Sequence, residues 1–348
     1  MLPIHTRTRR QIHRTLHAVQ ILHTLRTRAG RRAACLLTAA ALLGACRDQP
    51  PTGAESKPAL AVGGGSTPPI CALCGVPIVF EEVAKNGISH YIWKMNTSGT
   101  GATLLHAGSQ PTWAAGYSRI VFSLSNTWIA VMNSDGTNVK QLSLHDSSIH
   151  DYWPAVSPDG TKIAFTRSAP GQSPQLYVMN ADGTNVTQLT NFVWPNMAMH
   201  PSWSPDGTKI AFSADMGYGS SDIFVMNANG DPNTLEGVAA TSNADSNPVW
   251  SPDGSLIAFT STFPYLGIGT IVIVSPYDVD LWYELPTGYS NCQMGAFSPF
   301  GDRLTFSCAV GPTSENWAIF SADLNGGNRY QLTSGLSGKD TYATWSRR

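Results

Sequence analysis

One short phrase of sequence recurs along this chain at a nearly constant period. "PSWSPDGTKIAF" at residues 201–212 returns as "PVWSPDGSLIAF" at 248 and "PAVSPDGTKIAF" at 154, with weaker copies "PTWAAGYSRIVF" at 111 and "GAFSPFGDRLTF" at 295. Aligned on the tryptophan position, the copies fall at Trp113, Val156, Trp203, Trp250 and Phe297, spaced by 43, 47, 47 and 47 residues. A closing half-copy, "YATWS", places Trp345 another 48 residues on. A unit of that size cannot bury a core by itself, so it must stack on its neighbours, and a period in the forties points to a propeller or a similar array.

The phrase is a strand–turn–strand. In Ser204-Pro205-Asp206-Gly207, Pro presets φ for the first central position, Asp suits the second, and Gly accepts the left-handed geometry that follows. Each period has a second half, with strands such as "IAVMN" (129–133), "LYVMN" (176–180) and "IFVMN" (223–227). These lead through "DGTN" turns into short strands such as "VTQLT", giving four strands per repeat joined by glycine-containing hairpins. The apolar runs barely alternate, as befits sheets covered on both faces.

The "IAF"-type strand occurs six times, at 78–80, 120–122, 163–165, 210–212, 257–259 and 304–306. The strand carrying the Trp position also occurs six times but is displaced by one, so that Trp345 completes the first unit from the far end of the chain. The sequence therefore predicts an all-β fold, a six-bladed β-propeller of four-stranded blades over residues 70–348, its ring closed by the C-terminal strand around Trp345. Closure of that kind removes the exposed edges of an open array. The "WSPDGxxIAF" and "VMNxDGTNxxQLT" units resemble the TolB-like propeller repeats, which also occur in the propellers of prolyl-oligopeptidase-type peptidases. The resemblance covers nearly everything after residue 70 and implies the propeller fold.

The formal net charge of −1 hides an uneven distribution. Residues 1–45 hold eight Arg, no Lys and no acidic residue, leaving 14 basic against 23 acidic side chains in the remainder. A body that acidic has no general attraction for nucleic acid, and none is expected as a partner. The basic stretch precedes an uncharged run, "AACLLTAAALLGA" (33–45), too short to span a membrane but suited to a signal-peptide apolar region. Its end, Leu43-Gly44-Ala45-Cys46, resembles the bacterial lipobox, which implies a lipoprotein signal over 1–45, cleavage before Cys46 and lipidation of that cysteine. Arg47, rather than Asp, follows it, which leans towards the outer membrane under the enterobacterial sorting rule. Residues 46–69, rich in Pro, Gly, Ser and Ala, read as a flexible tether.

The "SPDG" and "DGTN" turns are stereotyped and fall on one rim, whereas the connections on the other rim vary. Binding residues concentrate on variable loops held by a rigid scaffold, so that rim and the mouth of the central channel are where a site is expected. Its candidate residues are Trp153, Trp194, Met197, Met199, His200, Phe263 and Tyr265, large side chains that form a partner-binding or sugar-stacking surface at low entropic cost. His145 and His150, in "LHDSSIHDYW", are weak candidates as metal ligands, with a spacing that fits no established motif. Asp151, Asp245 and Asp340 recur at one repeat position and read as loop-capping residues. Asp206 belongs to the turn, and Trp203 is expected to pack between blades.

Cysteine usage fits export. Cys292 and Cys308 flank the hairpin near Phe300 and Gly301 and lie almost opposite each other, as a disulfide requires. Cys71 and Cys74 are open to three readings, a redox pair, half a metal site or a structural disulfide, of which the last suits a chain without a thioredoxin-like context. No nucleophile elbow, P-loop, zinc-protease helix or dinucleotide fingerprint occurs, and no cofactor is expected. The leading expectation is a lipid-anchored, non-enzymatic propeller of the bacterial envelope that binds an envelope protein or a cell-surface glycan. The alternative is a propeller enzyme or binder acting on carbohydrate or peptide through the variable rim.

Overall fold

The computed structural model describes residues 76–345 apart from 115, 194, 218, 240–242, 264–267, 279, 312–314 and 335–337. The expected signal peptide, Cys46, the tether, Cys71 and Cys74 lie outside the described residues.

The described chain is an all-β propeller, with a single short 3-10 turn at Pro232–Thr234 as its helical content. It begins with β1 (Ile78–Ala84), β2 (His90–Met95) and β3 (Thr103–Ala107). Four repeats then follow the same plan. They are β4 (Ser109–Trp113), β5 (Arg119–Leu124), β6 (Trp128–Asn133), β7 (Lys140–Gln141); β8 (His150–Val156), β9 (Lys162–Ser168), β10 (Gln175–Asn180), β11 (Thr187–Gln188); β12 (Met197–Trp203), β13 (Lys209–Asp215), β14 (Ser221–Asn227), β15 (Glu236–Ala239); and β16 (Ala244–Trp250), β17 (Ile257–Phe263), β18 (Ile268–Val274), β19 (Trp282–Glu284). The chain ends with β20 (Cys292–Phe297), β21 (Arg303–Ala309), β22 (Trp317–Asp323), β23 (Tyr330–Gln331) and β24 (Gly338–Trp345).

The four middle repeats are free-standing four-stranded antiparallel sheets. This corrects the expectation of six separate blades. The remaining eight strands run together in one sheet, because β24 pairs antiparallel with β1, Ile78 opposite Trp345, and also touches β22 through a parallel bridge, Trp317 opposite Lys339. The displaced tryptophan strand thus joins the first repeat, as its register requires.

Three physical devices set each unit. The turn is locked by side chains: Ser204 Oγ donates to Asp206 Oδ1 at 2.6 Å, and Asp206 in turn accepts from the Thr208 backbone N–H at 3.0 Å. Gly207 follows at φ 71°, a conformation costly for any residue with a Cβ. These bonds hold the Asp206 carboxyl below the usual carboxylate range, and the same holds at Asp159 and Asp253 in the sister turns. The second device is the repeated phenylalanine: Phe80, Phe122, Phe165, Phe212, Phe259 and Phe306 are all fully buried, each worth about 1.5–3 kcal/mol of apolar burial. The core lies between successive sheets, as where Val121 and Ile129 of one sheet meet Val156, Ile163 and Phe165 of the next. Trp203 is 3% exposed and donates its indole N–H across to the Ala155 carbonyl of the preceding sheet at 3.0 Å. The third device is a bulge in each innermost strand, and it builds the site.

Candidate functional site

The innermost strands β4, β8, β12, β16, β20 and β24 surround a cavity of ≈ 420 Å³. In each of them the pairing with the adjacent strand shifts, between Ser109 and Thr112, Tyr152 and Ala155, Met199 and Ser202, Ser246 and Val249, Met294 and Ala296, and opposite Val79 and Glu81 on β24. A bulge leaves one residue unpaired and re-aims its side chain. The residues at these bulges, three before each tryptophan position, are Gln110, Trp153, His200, Asn247, Met294 and Tyr342, and all six line the cavity.

Five of the six adopt left-handed backbone, with φ of 53° at Gln110, 52° at Trp153, 56° at His200, 53° at Asn247 and 49° at Tyr342. For Trp, His and Tyr this conformation is rare and costs on the order of 1–3 kcal/mol each. A proline follows four of the five (Pro111, Pro154, Pro201 and Pro248), removing a backbone donor that the bulge would strand. Strain repeated at equivalent positions around one cavity is the mark of side chains held for a purpose.

The bulged backbone is satisfied by the neighbouring sheet. Gln110 N–H donates to Glu81 Oε2 at 2.8 Å, Trp153 N–H to Gln110 Oε1 at 3.0 Å, and Met294 N–H to Thr260 Oγ1 at 2.8 Å. The position after the buried phenylalanine supplies several of these acceptors. It holds Ser123, Thr166, Ser213, Thr260 and Ser307 in five repeats and Glu81 in the first. Glu81 is 2% exposed, and its other oxygen lies 2.5 Å from His90 Nδ1, which raises the His90 pKa.

Trp153 and His200 meet ring to ring at 3.9 Å, inclined by 44°, and Tyr152 stands edge-on to Trp153 at 4.7 Å. Ser213 Oγ donates its proton to the Met199 carbonyl at 3.2 Å, so the 2.8 Å contact with His200 is a bond from Nδ1–H to that oxygen. Nε2 is then the acceptor of a neutral ring. Burial pushes the His200 pKa down to about 3, keeping the imidazole uncharged across the physiological range. Burial, helped by the charge of Glu81, pushes the Tyr342 phenol up to about 12 against an opposing contribution from the Trp153 side chain. The cavity therefore presents aromatic faces, two amides, a neutral imidazole and a neutral phenol.

Of the expected rim residues the cavity gathers Trp153 and His200. Met197, Met199 and Phe263 do not line it, and Trp194 and Tyr265 lie outside the described residues. His145 and His150 do not converge with His200. His145 Nε2 bonds Asp151 Oδ2 at 3.0 Å, while the exposed His150 sits 3.0 Å from the Asn126 carbonyl. Asp151 is fully buried and grips Arg167 through two 2.8 Å bonds, so its side chain forms an ion pair rather than the expected backbone cap. Asp245 accepts from Ser261 Oγ at 2.7 Å. No group of three or more His, Cys, Asp or Glu able to hold a metal occurs among the described residues. Cys292 and Cys308 face each other across β20 and β21 and form a disulfide.

Sequence reasoning passed over Gln110, Asn247, Met294 and Tyr342. The signal was present: within the nearly constant phrase, the residue before the proline is the one that changes its chemistry in every copy.

Residues 118–264 match the TolB beta propeller domain family. Among solved structures, the chain is similar to TolB from Acinetobacter baumannii, at 19% identity and a TM-score of 0.66, over 80% of this chain and 68% of that one. It is also similar to putative TolB from Agrobacterium tumefaciens, at 15% identity and a TM-score of 0.56, over 79% and 100%. Hydrazine synthase of Kuenenia stuttgartiensis matches at 14% identity and a TM-score of 0.63, over 79% and 47%. No curated protein sequence matches the chain. Identities this low speak to the fold.

Proposed function

We propose that this TolB-like propeller is a non-enzymatic binding module of the bacterial envelope, anchored by a lipid on Cys46 and receiving its partner in the central cavity. The observation that carries the reading is the convergence of Gln110, Trp153, His200, Asn247 and Tyr342, all in left-handed backbone, on one cavity. Its volume, ≈ 420 Å³, falls in the range of about 300–1,000 Å³ that small-molecule and side-chain-binding sites occupy. The enzyme alternative rests on the aromatic loops of the variable rim and on His145, His150 and His200, and the three histidines sit in separate surroundings.

The same reading treats the eight-stranded sheet as two propeller units, giving a six-unit ring. Support comes from the cores: among the described residues the apolar clusters number six, and one of them joins Ile78, Phe80 and Met95 to Ile319 and Leu332 across that sheet. A rigid ring behind a flexible tether suits a module that must reach a partner from a membrane. The lipobox and tether support the envelope placement, and the partner is an envelope protein or a cell-surface glycan.

Two measurements test this. Metabolic labelling with a radioactive fatty acid should mark the wild-type chain and not Cys46→Ala. Capture from envelope extract should be lost with His200→Asn, which keeps the left-handed backbone, while the thermal melt stays near wild type. Capture that is indifferent to His200→Asn and to Asn247→Gly would move the site away from the cavity.

A further inference from the structure

Among the described residues, the lining of the cavity carries no formal charge. None of the described residues around it is Asp, Glu, Lys or Arg, and His200, the lone titratable base among them, is held neutral. The buried Glu81 carboxylate does not line the cavity; it accepts from the Gln110 backbone N–H and pairs with His90. This neutrality stands out in a chain whose residues beyond 45 carry 14 basic and 23 acidic side chains. An ionic ligand entering such a site would lose its hydration with no opposite charge to replace it, a cost of several kcal/mol.

What the lining offers instead is a circle of groups able to donate, accept or do both. His200 Nε2 is an acceptor with no protein donor among the described residues. The Gln110 carbonyl oxygen is taken by Trp153 N–H, which leaves its amide NH₂ as a donor. Asn247 contributes a whole amide, and Tyr342 a phenol that stays protonated to about pH 12. Trp153, with one face covered by His200 at 3.9 Å, supplies a wide apolar surface beside them. Hydroxyl groups spread around a ring both donate and accept at each atom, while the C–H face of the same ring packs on an indole. A peptide, by contrast, carries separate donors and acceptors along a line, for which a circle of mixed groups is a poor template.

Resting on the channel-binding reading above, we infer that the ligand of this cavity is an uncharged saccharide, one or two rings at the end of a neutral glycan, bound by Trp153, His200, Gln110, Asn247 and Tyr342. The bulged, proline-followed backbone fixes these side chains before the ligand arrives, so that little conformational entropy is lost on binding. The class excludes uronate-containing and phosphorylated sugars.

The test is titration calorimetry on the full-length chain with maltotriose, cellotriose and chitotriose, beside trigalacturonate and an uncharged proline-rich peptide. At least one neutral trisaccharide should bind saturably, with trigalacturonate tenfold or more weaker. Asn247→Gly, which keeps the left-handed backbone and removes the amide, should weaken that binding at least tenfold with an unchanged circular dichroism melt; His200→Asn provides the second variant. Equal or tighter binding of trigalacturonate overturns the inference, as does a folded protein that binds none of the three neutral sugars. Peptide binding that is lost in Asn247→Gly, with no sugar binding, overturns the saccharide class while leaving the channel reading intact. Saccharide binding untouched by both variants overturns the channel site as well.

Discussion

Trp153 and His200 come from the inner strands of neighbouring sheets and bring their rings to 3.9 Å, each at a bulge with φ above 50°. The imidazole is partly buried at the cavity wall, and burial pushes its pKa down to about 3. A base depressed in the folded state binds fewer protons than the unfolded chain does below its ordinary pKa near 6.5. Stability contributed by neutral His200 is therefore present above pH 6.5 and drains away as pH drops towards 3, by about 1.4 kcal/mol per unit. Urea unfolding from pH 7 to 4 should show this slope in the wild type and a shallower one in His200→Asn. Proton NMR should find no titration of the His200 ring between pH 8 and 5, and a midpoint near 6.5 would contradict the depressed pKa.

Glu81 and His90 run the opposite way. The short contact between them, 2.5 Å, raises the His90 pKa above 6.5. Stability from this pair is fully present below pH 6.5 and is lost as pH rises through the folded-state pKa. His90 keeps about a quarter of its side chain exposed, so solvent screening holds the effect to about 1 kcal/mol or less. Stability curves for wild type and His90→Gln, compared between pH 6 and 8.5, should converge at the alkaline end. A constant gap across that range would show that His90 acts through packing alone.

The strand order was legible because one physical requirement recurs. Each unit needs a turn, a buried phenylalanine and a covering neighbour, so the phrase around Trp203 could be read five times and its closing half placed at Trp345. The merged sheet was not legible, since a single bridge between Trp317 and Lys339 decides it and leaves no trace in apolar pattern. The site was half legible. Trp153 and His200 drew attention as large side chains near variable loops, whereas Gln110 and Asn247 look like ordinary polar residues. What sets them apart is left-handed backbone at a bulge, a property of pairing register that residue type alone does not encode. Met197 and Phe263 show the converse: their size is visible in sequence, and that they do not line the cavity is not.

The Cys292–Cys308 bridge closes a loop with a sequence separation of 16. On the chain-entropy account a loop of that length contributes about 3 kcal/mol by restricting the unfolded chain. Both sulfurs are buried in the core cluster that holds Phe306 and Phe320, so a double Cys→Ala variant also leaves a small void. Differential scanning calorimetry should place the Cys292→Ala/Cys308→Ala melt several degrees below the oxidised wild type, with reduced wild type falling between. Equal melting of oxidised and reduced wild type would show that the unfolded ensemble is not what the bridge restrains.

The closing strand offers the sharpest test of the architecture. Trp345 is 5% exposed and packs in one cluster with Ile78, Phe80, Met95 and Ile319, drawn from both ends of the described chain. Removing a buried Trp side chain costs about 3–5 kcal/mol, so Trp345→Ala should lower the melting temperature more than truncation of Trp282, which is 42% exposed on the outer strand β19. Deleting residues 338–348 goes further, because it strips β1 of one of its two pairing partners, leaving β2 alone, and uncovers Ile78 and Phe80 together. A strand edge left open beside an uncovered apolar face is a template for association. The deleted chain should elute as oligomers on size exclusion and lose its cooperative melt. A monomeric, cooperatively folding deletion product would mean that pairing between the two ends of the described chain does not hold the propeller together, and that each inter-sheet core is sufficient on its own.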